Sequence, residues 1–260
     1  MLYTILLGCY RWCRNQKRRF WDPWTRWPPI GAIDFGDLRR LKPVSKNFGY
    51  DRGTPVDRYY IETFLKQNRL NIRGRVLEIA EPLYTRKFGE ERVTQSDVLD
   101  LDLRKPGVTI IADLTDAQHI QSDTFDCLIL TQTLQFIFDV QAALKTCYRV
   151  LKPGGVLLAT FPGLSQVASP THMESWEDCW HFTVAGARKT FVEIFPAANF
   201  MVQTFGNVLA ATAFLHGLAA EELSREELDY QDPDYEVTIA VRAQKPGSAS
   251  ESPSRITAAQ

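Results

Sequence analysis

The chain has 260 residues, 45% hydrophobic and 23% charged, a size and composition that suit one larger globular domain and exclude disordered or collagenous classes. Thirty basic against thirty-one acidic side chains leave a net charge of -1, without the basic field that non-specific nucleic-acid binding needs, so no nucleic-acid partner is expected. Five cysteines, at 9, 13, 127, 147 and 179, are odd in number and irregularly spaced, which argues for a reducing compartment and against a disulfide framework.

In chain order, the first feature is a basic, tryptophan-rich arm over residues 1–50, with ten Lys/Arg against three acids and Trp12, Trp21, Trp24 and Trp27 among them. The apolar run from Leu2 to Cys9 is far below the roughly 20 residues of a membrane span. Its charges follow the run instead of preceding it, unlike a secretory signal. Trp and Arg beside a short apolar segment fit an interfacial anchor on anionic lipid. A peripheral contact of residues 1–30 with the inner membrane face is therefore one expectation for a cytoplasmic protein; packing of the arm on its own domain, or dimerisation through it, is the other.

From Thr54 the pattern alternates between helices and short buried strands. Thr54-Pro55 predicts an N-cap with Pro at the first helical position, followed by Val56, Tyr59, Tyr60, Phe64 and Leu65 at helical spacing. Apolar runs predict strands at 75–79, 93–97, 108–113, 125–131 and 156–161, with a small helix at 85–88. Asp139 predicts the cap of a helix ended by Lys152-Pro153-Gly154-Gly155. Thr183 likewise reads as an N-cap; strands at 200–205 and 235–243 follow, with a helix over 208–223 between them. Residues 244–260, rich in Ser, Pro, Gly and Ala, read as a disordered tail. Near-continuous apolar strands separated by helices predict a doubly wound, mostly parallel α/β sheet, with the last strand antiparallel and ligands at the carboxyl ends of the strands.

The strand ends carry a resemblance. Val76-Leu77-Glu78-Ile79, then Asp97, then Ala112-Asp113-Leu114, then Phe125-Asp126, then Arg149-Val150-Leu151-Lys152-Pro153-Gly154-Gly155 resembles, in order and spacing, a class I S-adenosylmethionine-dependent methyltransferase of the type 11 kind. The resemblance covers roughly residues 54–243, within an expected methyltransferase-like domain of residues 51–243, and implies a Rossmann-like methyltransferase fold with S-adenosyl-L-methionine as cofactor. It implies Asp97 on the ribose, Asp113 and the Leu114 amide on adenine, and Glu78 organising the loop toward the methionine end. Helix capping and ordinary loop placement are the alternatives for each acid; Asp113 in particular could cap at Thr115.

One departure stands out. Where the family has E-x-G-x-G-x-G, this chain has Glu78-Ile79-Ala80-Glu81-Pro82-Leu83-Tyr84, without a glycine where the backbone must approach a ligand. The stretches 48–53 and 84–89 resemble methyltransferase-like proteins of glycan gene clusters with a similarly altered loop, which implies a variant grip through Ala80, Tyr84, Thr85 and Arg86. Arg58 is a candidate for the methionine carboxylate, with a salt bridge to Asp57 or Glu62 as its alternative. Trp176 and Trp180 are candidates for the wall of an acceptor pocket suited to a sugar or other flat-faced molecule. His181 is the candidate general base for an oxygen acceptor, with His172 and Asp178 as lesser ones, although His181 could merely lead into the helix at Thr183. Zinc-ligand spacing, a G-x-S-x-G elbow and a phosphate-binding G-x-x-x-x-G-K are absent, so no metal site, hydrolase or kinase is expected. The expected activity is methyl transfer to an oxygen of a small molecule or glycan; a non-catalytic protein of the same fold, binding a membrane or partner enzyme, is the alternative.

Overall fold

The computed structural model describes Pro28 and residues 31–102, 104–168 and 177–247. Two compact units divide at Lys42/Pro43. Within the first, the described residues form a short 3-10 turn, Gly36–Leu38, with the Arg39 guanidinium over the Phe35 ring. The lipid-anchor reading of residues 1–30 falls almost wholly outside the described residues, as does Trp176. No helix among the described residues is long and apolar enough to cross a membrane.

The second unit is a seven-stranded sheet with strands β1 (Gly74–Ile79), β2 (Val93–Asp100), β3 (Ile110–Ile111), β4 (Phe125–Thr131), β5 (Leu151–Pro162), β6 (Phe200–Phe205) and β7 (Thr238–Gln244). Their spatial order is β3-β2-β1-β4-β5-β7-β6. The pairs β1–β2, β1–β4, β2–β3 and β4–β5 are parallel, and β7 runs antiparallel to both β5 and β6. Sequence and structure agree on this architecture. The order reverses between β1 and β4, the switch point at which doubly wound sheets bind ligands.

Alternation along each strand sends apolar side chains to both faces. Leu77, Leu128, Leu130, Leu157 and Phe161 pack with helices α2 (Val140–Val150) and α3 (Val184–Val192) on one face. Val76, Cys127, Ile129, Val156 and Leu158 pack with α1 (Val56–Gln67) and α4 (Val208–Leu215) on the other. Cys127 and Cys147 are buried free thiols within these layers.

The predicted caps Asp139 and Thr183 accept from Ala142 N and Gly186 N, respectively. Thr54 does not cap α1: Pro55 holds that position, while Thr54 donates from N and Oγ1 to the Glu221 carboxylate at 2.9 and 2.7 Å. A long-range carboxylate thus outcompetes the local cap. The predicted helix over 208–223 ends at Leu215, because Gly217 takes a φ of +67° and turns the chain into the short α5 region, Arg225–Asp229. The last strand begins at Thr238, three residues later than read, and the third shrinks to two residues. Lys152 to Gly155 lies within the span of β5 instead of only preceding it. The core also reaches past both expected boundaries of residues 51–243. Val44 N and Ser45 N donate to His216 O, and Lys245 N donates to Gly155 O.

Candidate functional site

A cavity of about 1060 Å³ opens over the carboxyl ends of β1 to β4, at the switch point. Its walls come from the start of α1 and from the loops after β1, β2, β3 and β4. Among the residues predicted for the site, Arg58, Glu78, Ala80, Tyr84, Asp113 and Leu114 all line it.

The glycine-free loop is built around Glu78. Its side chain is almost fully buried, with Oε1 accepting from Tyr84 N at 2.9 Å and Oε2 from Thr85 N at 2.7 Å. Burial raises the carboxyl's pKa, and these amide hydrogen bonds act against the rise. The amides at 84 and 85 are thus committed to Glu78. Ala80 takes a φ of +68°, the left-handed region that glycine would occupy without strain, and its amide bonds to Leu99 O at 2.9 Å. The loop therefore keeps a glycine-like turn with an alanine in it.

Arg58 faces the same cavity from α1. Its Nε donates to Tyr50 Oη at 2.8 Å and one terminal nitrogen to Tyr84 Oη at 3.1 Å. Tyr84 is itself fixed by stacking on Phe88, with ring centroids 6.1 Å apart. Burial works against the guanidinium's charge, but Asp57, Tyr84 and Tyr50 outweigh it and hold the pKa above its ordinary value. No carboxylate among the described residues lies within ion-pair distance of Arg58, and Glu62 pairs with Lys87 at 2.6 Å. A protonated guanidinium held by two neutral hydroxyls beside a cavity is prepared to receive an anion. Arg86, by contrast, is not in the cavity wall.

The acid read for the ribose sits elsewhere. Asp97 lies inside β2, opposite Leu77, where it binds Arg75 Nε at 2.7 Å and accepts from Thr109 Oγ1 at 3.2 Å. It does not line the cavity. Strand β2 continues for three further residues, and Asp100 stands at its carboxyl end, in the cavity wall. Asp100 accepts from Asp102 N at 3.1 Å and from Lys105 Nζ at 2.7 Å. The sequence reading stopped the strand at the first acid. The signal that could have carried it on is Val98-Leu99, an apolar pair buried between the two acids.

Asp113 closes a turn with one oxygen, and no helix follows it before β4, so it is not the helix cap that was the alternative: Oδ1 accepts from Thr115 N at 2.8 Å and Thr115 Oγ1 at 2.7 Å. Its Oδ2 has no hydrogen bond among the described residues and remains available at the cavity wall. Leu114 is buried beside it.

The acceptor-side candidates separate. His181 is not in the cavity wall; its Nε2 lies 3.4 Å from Asp178 Oδ2, which also accepts from Ala168 N at 2.7 Å. That arrangement ties down the chain before α3 and corrects the reading of His181 as a group facing the acceptor. Trp180 stacks on Phe138, with centroids 5.6 Å apart and planes 26° apart, and its Nε1 donates to Ile137 O at 3.1 Å. Phe138 itself is in the wall. Sequence reasoning missed Gln132, at the end of β4, which lines the cavity with a φ of +48°. Strained non-glycine residues cluster at functional sites, and here two of them flank the switch point after β1 and β4. Among the described residues, no group of three or more His, Cys, Asp or Glu is placed to hold a metal ion.

Sheet order and cavity together define the class: a doubly wound α/β domain with a cleft at its switch point. Residues 76–159 match the family described as "Methyltransferase domain", which bears out the resemblance read from the strand-end motifs. The chain is 32% identical over 72 residues to the ubiquinone/menaquinone biosynthesis C-methyltransferase UbiE of Pectobacterium carotovorum, covering 28% of this chain and 26% of that protein. It is 47% identical over 45 residues to the UbiE of Haemophilus ducreyi, covering 16% of this chain and 17% of that one. The chain thus spans about a quarter or less of the length of these curated relatives. Among solved structures, an S-adenosylmethionine-dependent methyltransferase from Mesorhizobium loti aligns with 76% of this chain and 100% of its own, at 17% identity and a TM-score of 0.48. One from Archaeoglobus fulgidus aligns with 72% of this chain and 94% of its own, at 12% identity and a TM-score of 0.48.

Proposed function

We propose that the chain binds S-adenosyl-L-methionine in the cleft and transfers its methyl group to an oxygen of a small molecule or glycan. The observation that carries this reading is Arg58, charged, clamped between the Tyr50 and Tyr84 hydroxyls and facing the cavity, with Asp57 near enough to favour its charge but no carboxylate among the described residues within ion-pair distance. The residues present fit the cofactor. Arg58 would hold the methionine carboxylate, Asp100 the ribose hydroxyls, and Asp113 Oδ2 with the Leu114 amide the adenine edge. Glu78 would act one step back, by fixing the loop through the amides of Tyr84 and Thr85.

When bound, the cofactor supplies an electrophilic methyl on a sulfonium, so the reaction is a direct displacement in which positioning provides much of the rate. The protein's part is to present the acceptor oxygen along the line of the departing sulfur and to keep water from that line. Thr131, Gln132 and Thr133 form the cavity wall nearest the β4 end and offer hydroxyl and amide groups there. A grip on the cofactor that uses side chains in place of glycine amides accounts for the altered loop.

Calorimetry with S-adenosylhomocysteine tests the reading. Binding is expected, weakened by Asp100→Ala and left unchanged by Asp97→Ala. A wild-type protein that ignores millimolar ligand would leave the fold with a non-catalytic role.

A further inference from the structure

At its β4 end the cavity changes character. Among the described residues, the wall contributed by 131–139 consists of Thr131, Gln132, Thr133, Phe136, Ile137, Phe138 and Asp139, and the one carboxylate in that stretch, Asp139, is engaged through Oδ1 in capping α2 at Ala142 N, 2.9 Å away. Phe138 leaves 77% of its surface exposed although it is a large apolar ring. One face of that ring is backed by Trp180, which is held in place by the hydrogen bond from its indole N–H to Ile137 O. The Trp180 backbone amide and that of Cys179 also donate to Gln135 O, at 3.2 and 2.8 Å. Phe138 therefore presents a fixed apolar plane with a rigid backing.

The polar contact at this end is equally fixed. Gln132 Oε1 accepts from Gln135 Nε2 at 3.1 Å, so the carboxamide of Gln132 is oriented and its own Nε2 hydrogens remain to be donated. Its backbone is held in the left-handed region by the bond from Gln132 N to Thr160 O at 3.0 Å. A pyranose ring needs a hydrogen-bond partner for each hydroxyl that it takes out of water. This wall offers one oriented amide, two threonines, a plane of aromatic carbon and a carboxylate, Asp139, that already caps α2.

Resting on the methyltransferase reading above, we infer that the acceptor is a planar aromatic alcohol, stacked on Phe138 with its oxygen hydrogen-bonded by Gln132. In the transfer the oxygen lone pair forms the new C–O bond, the methyl C–S bond breaks with its electron pair going to sulfur, and the hydroxyl proton leaves to water. The donor is the sulfonium cofactor already proposed, so no further co-reactant is required. Gln132 acts by steadying the negative charge on the oxygen, a task for a donor and not for a base.

The test uses the full chain saturated with S-adenosylhomocysteine and three probes: 2-naphthol, its saturated counterpart 2-decalol, and methyl β-glucopyranoside. The expected result is that 2-naphthol binds about tenfold more tightly than 2-decalol, from the preference of aromatic rings for stacked geometry, and that the glucoside does not bind measurably. Phe138→Ala, at an exposed position, should weaken 2-naphthol about fivefold or more and leave S-adenosylhomocysteine affinity unchanged. Gln132→Gly removes the amide and relieves the left-handed backbone, so it should raise thermal stability while weakening 2-naphthol; Gln132→Asn should restore part of that loss. Equal binding of 2-naphthol and 2-decalol, tighter binding of the glucoside, or indifference to Phe138→Ala would overturn the inference. Failure of the wild type to bind S-adenosylhomocysteine would instead remove the reading on which it rests.

Discussion

The two ends of the cavity solve recognition in opposite ways. Around β1, β2 and β3 the wall is ionic and already networked: Glu78 holds two amides, Asp100 holds Lys105, Asp113 holds Thr115, and Arg58 is held by two tyrosines. Past β4 it is mainly aromatic and amide, with Asp139 as the one carboxylate among the described residues there. A ligand with fixed polar groups along its whole length rewards the first arrangement, because each charged group is oriented before it arrives. The second leaves room for shape to decide. The difference indicates where substitutions should alter cofactor binding and where they should alter only the acceptor.

The largest expected effect that would break this division belongs to Arg58. Arg58→Ala should weaken S-adenosylhomocysteine by roughly tenfold to a hundredfold, since hydrogen bonds to charged groups contribute about 1.5–3 kcal/mol. Adenosine alone, which lacks the carboxylate, should bind wild type and variant alike; an equal loss for both ligands would move Arg58 out of the role given to it. Next comes the pair of acids on β2. Asp100→Ala should cost about 1.5–3 kcal/mol of ligand affinity. Asp97→Ala should spare affinity and lower the melting temperature, because Arg75 then loses the carboxylate it binds at 2.7 Å. The reverse outcome, measured by calorimetry and thermal unfolding, would restore the sequence-based assignment.

Smaller effects sharpen the account of the loop. Glu78→Gln presents a single carbonyl oxygen where two amides now bind carboxylate oxygens, and should destabilise the fold by about 1–3 kcal/mol through an unsatisfied buried N–H. Ala80→Gly should stabilise it by about 1 kcal/mol, by removing a Cβ from a left-handed backbone. A fall in melting temperature would show that the methyl packs usefully there. The smallest effect is in pH. Burial raises the Glu78 pKa, so protonation favours the folded state over the unfolded one. The stability difference between wild type and Glu78→Gln should therefore grow as pH falls into the ordinary carboxylate range, and shrink as pH rises through the raised folded value. Denaturant unfolding at a series of pH values measures that trend.

Much of this was legible in the chain. The apolar run of β4 appears in the structure over the same residues that the sequence indicates, Phe125–Thr131, because its buried centre, Cys127 to Leu130, faces the core on both sides of the sheet and has to be apolar throughout. Asp139 and Thr183 were readable as caps because their partners lie three residues away. The misreadings of Thr54 and Asp97 are cases of distant competition, whereas His181 meets a partner only three residues away. Thr54 is drawn to Glu221, 167 residues on. Asp97 is taken up by Arg75 on the neighbouring strand, and His181 lies against Asp178 at the edge of a loop.

The sequence by itself determined the alternation of buried strands and capped helices, the motif order along them, and the presence of an acid, an arginine and aromatic groups near the right loops. Periodicity and capping are local, and local patterns survive without knowledge of what packs against them. Only the tertiary structure decided which acid ends β2 and that Arg58 goes to tyrosines instead of a carboxylate. It alone placed Ala80 and Gln132 in left-handed turns on either side of the switch point. Each of those outcomes depends on which strand or helix a residue meets across the sheet, and hydrogen bonds and ion pairs are assigned among whatever partners the assembled fold brings within about 3 Å.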